Sequence, residues 1–203
     1  MFGKMVSGAL GLGDIGAVIE PKDYDKVEAD DYVMHEDGER IIFLIKSKLD
    51  EYCFTNKALI HVDGKTVTSK KRILWRFDYS RNAISNVYLE TAGTIDLDAE
   101  IKFTMGENEY SIDVNKKHIE QLKDLYKSLI TIGHIQYENA KYLEYAQKSL
   151  DAAVNSMCRS STQNALAEEF TAINEYSNGW LLDSHRNYVV KDFGHVFDKF
   201  IKN

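Results

Sequence analysis

The sequence has little of what usually signals catalysis, metal binding or membrane insertion. Its two cysteines, Cys53 and Cys158, stand about a hundred residues apart, which excludes a disulfide framework and a paired-thiol metal clip. Both are expected to be ordinary reduced residues. No stretch approaches the roughly 18 to 20 consecutive apolar residues of a spanning helix. The opening MFGKMVSGALGLG has neither a bounded apolar core with a cleavage site nor a basic leader. A soluble cytoplasmic protein is expected. Positive charge is also scarce: 25 Lys and Arg face 32 Asp and Glu, a net charge of −7. Phosphate backbones are repelled on average, so nucleic acid is not an expected partner, and a membrane surface would need a local basic patch.

Linear signatures of catalysis are missing as well. No serine sits in a GxSxG elbow, and no Cys, His and acid share a recognisable spacing. The histidines at 35, 61, 118, 134, 185 and 195 share no helix face and have no zinc-finger spacing to a cysteine. Cys53 and His61 fall on adjacent expected strands, too few ligands for a metal. Gly11, Gly13 and Gly16 match GxGxxG, but a dinucleotide loop needs a strand before it and a crossover helix after it. Here ten N-terminal residues precede the motif, and Pro21 with an acidic run follows. No catalytic residue, cofactor or metal is expected.

What is present is a change of texture along the chain. Phe2, Met5, Val6, Ala9 and Leu10 are spaced for one helix face, to be covered by the protein's own core, a neighbouring subunit or a membrane surface. From 22 to 39, eight acids face two lysines in a solvated segment opened by Pro21 and closed by Gly38. Between 40 and 114, β-rich runs predict strands near 40–47, 51–55, 58–63, 69–77, 84–91, 98–105 and 108–114. Seven strands at this spacing suggest an antiparallel sandwich or barrel. Asn115 is placed to cap a helix whose face is Ile119, Leu122, Leu125, Tyr126 and Leu129. Beyond 134, Leu143, Ala146, Leu150, Ala153 and Met157 form one helical stripe; Leu166, Phe170, Ile173 and Ser177 form another. These predict a helical hairpin, with a third stretch (Val189, Phe193, Val196, Phe197, Phe200) folded against the pair. The expected division is 1–39, a segment packing on the barrel; 40–131, barrel with capping helix; and 132–203, helical extension.

Two blocks carry a family likeness. CFTNKALIHVD over 53–63 resembles the FTNKRLILVD signature of the bacterial pleckstrin-homology (PH) domain family, first catalogued as a domain of unknown function. ETAGTIDLDAEIK over 90–102 is similar to that family's ETAGTFDLDAELK. Thr68, Ser69, Lys70 and Lys71 lie between them, and the tail resembles a YvbH-type helical extension. Ala58 departs from the usual arginine, Ser69 from a glycine, and 77–85 is about two residues longer than the pattern. The resemblance implies an α+β fold, a seven-stranded bent antiparallel barrel capped by a helix and followed by the helical hairpin. It also implies cyclic, ring-shaped homo-oligomers without enzymatic activity.

Two surfaces are candidates for binding. In the second block Gly93 permits an otherwise strained backbone, and Thr94, Asp96 and Asp98 alternate so that they can share a face beside Thr91. This row is either a surface for an unidentified protein partner or a strand edge satisfied within the subunit contact. Lys70, Lys71 and Arg72, with Arg76 and Arg81 nearby, are the basic concentration and a candidate anion patch. In eukaryotic PH domains the cations come from the loop joining the first two strands. Here that loop reads Lys46-Ser47-Lys48-Leu49-Asp50-Glu51, its acids cancelling its lysines. Trp75, among these cations, is read as core or cation–π packing.

Overall fold

The computed structural model describes residues 15–64, 72–91, 98–158 and 166–202. The N-terminal apolar face from Phe2 to Leu10 lies outside them. Eight strands form two antiparallel sheets: β1 (Ala17–Val18), β2 (Ile41–Lys46), β3 (Glu51–Thr55), β4 (Ala58–Asp63) and β5 (Ile73–Asp78) in the first, and β6 (Ile84–Glu90), β7 (Asp98–Met105) and β8 (Asn108–Asn115) in the second. The seven expected strands are all present, with β5 starting later than the pattern suggested. The two-residue β1 was not anticipated. It pairs with β2, and the preceding Gly16 bridges to β8, donating to the Asp113 carbonyl at 2.8 Å and accepting from Asn115 N–H at 2.9 Å. A Cβ on Gly16 would sit 2.8 Å from the Ile45 side chain and 2.9 Å from the Asp113 carbonyl. Glycine is therefore required here by close approach at a seam between sheets. Gly11 and Gly13 of the GxGxxG match lie outside the described residues, and a strand follows Gly16.

The acidic segment forms three 3-10 turns, Pro21–Lys26, Glu28–Tyr32 and His35–Asp37, with Pro21 at the first position. Its apolar residues Val27, Ala29 and Val33 pack on Leu44, Cys53, Ile60 and Val62, covering one face of the first sheet. The Glu51 carboxylate accepts from the N–H groups of Glu28 and Ala29 at 3.2 and 2.7 Å and pairs with buried Lys46, so the first turn of the second 3-10 helix is capped by an anion. Gly38 closes the segment at φ +72°, a left-handed conformation glycine adopts without strain.

The other face of the first sheet looks toward the second sheet, with Phe54 6.0 Å from Phe103. Helix α1 (Ile119–Cys158) follows a turn in which the Asn115 side chain accepts from Lys117 N–H at 3.1 Å. Leu122, Leu125, Leu129 and Ile132 are fully buried, the stripe expected of the capping helix. Each such side chain contributes about 1.5–3 kcal/mol of transfer free energy. The expected boundary near 131 falls inside α1, which continues through Gly133. A Cβ there would lie 2.5 Å from the Ile84 carbonyl, so this glycine marks contact with β6 and not a helix end.

The described residues form two compact units: one runs up to His134 and resumes at Lys191, the other is Ile135–Val190. The final stretch, including α3 (Gly194–Phe200), therefore packs on the barrel and not on the helical pair as the sequence suggested. Phe193 and Phe197 bury against Tyr79, with ring centroids 5.9 and 6.0 Å away. Asn56 holds the entry to α3: its carbonyl accepts from Phe193 N–H at 2.8 Å and its amide donates to Asp192 Oδ2 at 2.6 Å. The lengthened 77–85 segment supplies the buried Tyr79 that receives these rings.

In the second unit, α1 and α2 (Leu166–Tyr188) run antiparallel. Trp180 Nε1 donates to the Ala146 carbonyl at 3.1 Å, and Tyr142 lies 5.6 Å from Tyr188.

Candidate functional site

Of the polar row, Thr91 is exposed at the end of β6 and Asp98 is half-buried at the start of β7, paired with Asn115 across the strands. Gly93, Thr94 and Asp96 lie outside the described residues. The neighbouring sheet surface satisfies its own charges. Lys102 sits 2.8 Å from Glu100 and 3.2 Å from Glu90, and Ser111 donates to Glu100. Hydrogen bonds from Lys102 and Ser111 hold the Glu100 carboxyl below its ordinary value. Burial, then the Glu100 and Asp98 charges, push Asp113 upward.

Of the basic patch, Lys70 and Lys71 lie outside the described residues. Arg72 is exposed and donates from Nε to Glu28 at 3.3 Å. Arg76 is engaged on the sheet face that the 3-10 turns cover, its guanidinium bidentate on Glu39 at 3.0 and 3.1 Å with Asp78 at 2.8 Å. Glu39 also accepts 2.5 Å from the Thr55 hydroxyl and 2.9 Å from Met34 N–H. Burial alone would raise the Glu39 carboxyl, but these bonds outweigh it and hold the group below its ordinary value. In the β2–β3 loop, Lys46 is paired with Glu51, and Ser47 with Asp50 closes the turn through backbone and hydroxyl bonds. Among the described residues, Lys46, Arg72 and Arg76 are thus matched to the protein's own acids.

No group of three potential metal ligands occurs among the described residues. Cys53 and His61 do not meet: Cys53 packs with Ile60 under the 3-10 turns, whereas His61 stacks on Tyr52 on the opposite face.

The helical unit has a different surface. Among its described residues only Leu150 and Ser184 are buried. Tyr137, Tyr145, Phe170 and Tyr176 are each 59–69% exposed, and Leu181 and Leu182 are open as well. Two helices bury only the stripe along their mutual seam, so apolar residues flanking it face outward. Contiguous exposed apolar patches are a common feature of interaction surfaces. Stripe periodicity identified the helices but could not show that this exposure exceeds what the pair itself can cover.

Residues 9–133 match the family described as bacterial PH domain, and 144–203 match the YvbH-like oligomerisation region, which holds the exposed Tyr145, Phe170, Tyr176 and Trp180. The protein YvbH of Bacillus subtilis (strain 168) is 53% identical over 204 residues, the whole of both chains. YjqA of the same organism is 33% identical over 97 residues, 47% of this chain and 76% of its own. A crystal structure of a PH domain containing bacterial protein from Exiguobacterium sibiricum 255-15 has 50% identity and a TM-score of 0.86, covering 93% of this chain and all of that one. Barrel, capping helix and trailing helical pair thus agree in order and position with these matches, and the chain belongs to the bacterial PH domain family, with a YvbH-like oligomerisation region behind the barrel.

Proposed function

We propose that this protein is a non-catalytic cytoplasmic assembly module whose copies join into a cyclic homo-oligomer and present a composite surface to a protein partner. The observation that carries the reading is the coincidence of the exposed Tyr145, Phe170, Tyr176 and Leu182 with the region matched as an oligomerisation region. A closed ring is supported by the sheet edges. Strands β5 and β6 each end a sheet, offering edges along which a neighbouring subunit can pair. The row of Thr91, Gly93, Thr94, Asp96 and Asp98 follows β6 and leads into β7, and is the proposed site for the partner. Anionic-headgroup binding is the less favoured reading, because Arg72 is already paired with Glu28.

Multi-angle light scattering of the full chain at micromolar concentration, with negative-stain imaging of the same fraction, tests this reading. A single mass several times 23.2 kDa with annular particles is expected. A strictly monomeric mass removes the reading.

A further inference from the structure

One feature of the barrel is used neither by its core nor by the helical surface. Tyr52, His61 and Trp75 stand directly opposite one another in register across β3, β4 and β5, forming one row on a single sheet face. Tyr52 stacks on His61 with centroids 4.4 Å apart. Tyr110, from the facing sheet, presents its edge to both rings at 6.2 and 5.7 Å. Further along the same face Phe54 is completely buried, yet Trp75 at the edge strand is 48% exposed. The row therefore runs from the interior into solvent, where a ligand can reach it.

Charge identifies what would bind. Aromatic faces carry negative potential and attract cations. Asp50 sits at the rim, its Oδ1 3.6 Å from His61 Nε2, a buried nitrogen with no hydrogen-bond partner. Burial raises the Tyr52 hydroxyl, and the charges of Asp50, Asp63 and Asp113 raise it further, so the surrounding field is negative. Among the described residues, Lys46 is engaged with Glu51 and Arg72 with Glu28. Among the described residues the cation–π pairs are Lys141 over Tyr137 and Lys199 over Phe200, neither in this row. We propose that the Tyr52–His61–Trp75 row, with Asp50 at its rim, binds an organic cation bearing a guanidinium or alkylammonium group. A phosphate would meet the same negative field as repulsion.

The test uses the full chain with Trp180→Phe, which leaves Trp75 as the sole tryptophan, titrated with tetramethylammonium and with N-acetyl-argininamide against sodium chloride of equal ionic strength. A saturable change in Trp75 emission with a dissociation constant on the order of millimolar is expected. Asp50→Asn should weaken it about fivefold, since one nearby charge is lost from a partly exposed site. The Ser47–Asp50 turn uses the Asp50 backbone, so this variant keeps the loop. Trp75→Leu, read by calorimetry, is a second variant and should also lose about fivefold. Tighter binding of an arginine held in a short neutral peptide identifies a polypeptide side chain as the natural source; equal binding identifies a free small cation; either outcome upholds the site. No saturable response beyond the sodium chloride control up to about 100 mM overturns it. So does unchanged affinity in both variants, or saturable binding of inositol hexakisphosphate in place of the cations.

Discussion

The barrel and the helical pair use similar residues to opposite effect. In the barrel unit Phe54, Phe103, Phe193 and Phe197 are almost completely buried, and the buried charges Glu39 and Glu51 each meet a cation and several hydrogen-bond donors. In the helical unit Phe170, Tyr176 and Tyr137 lie mostly in water. Two facing sheets with a capping helix enclose a core; two helices have only a seam. Burial therefore divides the molecule into a part that encloses its large apolar side chains and a part that leaves them in solvent.

The contrast can be broken most severely at the plug. Leu122→Asp places a charge without a partner at a fully buried position and should unfold the barrel at a cost above about 4 kcal/mol, seen as loss of its urea transition. Retention of that transition would mean α1 does not close the core. Next comes the returning tail: Phe193→Ala should cost about 3–4 kcal/mol through the cavity left beside Tyr79. An equal loss is not expected from Arg40→Ala, whose ion pair with Asp198 has both side chains about half exposed.

Glu39→Gln should cost about 2 kcal/mol, less than a fully buried pair because Arg76 keeps some solvent and its contact with Asp78. The folded-state carboxyl lies below its ordinary value of 4.5. Its contribution is therefore complete above that value and is lost as pH falls through the lower folded value. Urea melts of the native protein between pH 6 and pH 3 should show this loss, and Glu39→Gln should flatten that part of the profile. On the barrel melt the smallest effect should come from Tyr176→Ser, within about 0.5 kcal/mol, because this mostly solvated side chain belongs to the helical unit.

Much of the barrel was readable because strands, turns and the capping stripe are local patterns: Asp63-Gly64 and Gly106 punctuate the runs, and Leu122, Leu125 and Leu129 recur at helical spacing. The signature asparagine was readable as a turn residue but not as a clasp, since its partner Asp192 lies 136 positions away. The apolar spacing of Phe193, Val196 and Phe197 showed a buried face, but its assignment to the helical pair was wrong because spacing does not say which surface does the burying. The closeness of the Ile84 carbonyl to Gly133, inside a continuous helix, is a tertiary contact that no local pattern shows. The Gly16 seam and β1 involve two or three residues, too short for any periodicity. For the candidate surfaces, sequence located Arg72 and Arg76 but not the acids that engage them, because Glu28 and Glu39 are brought in from the preceding segment by tertiary packing.

The most direct test compares sedimentation of the native chain with a variant carrying Tyr145→Ser, Phe170→Ser, Tyr176→Ser and Leu182→Ser. The account predicts a native assembly several times 23.2 kDa, a variant at or near the mass of one chain, and an unchanged barrel melt in both. A native chain that sediments as a monomer, or a variant that keeps the full assembly mass, would contradict it.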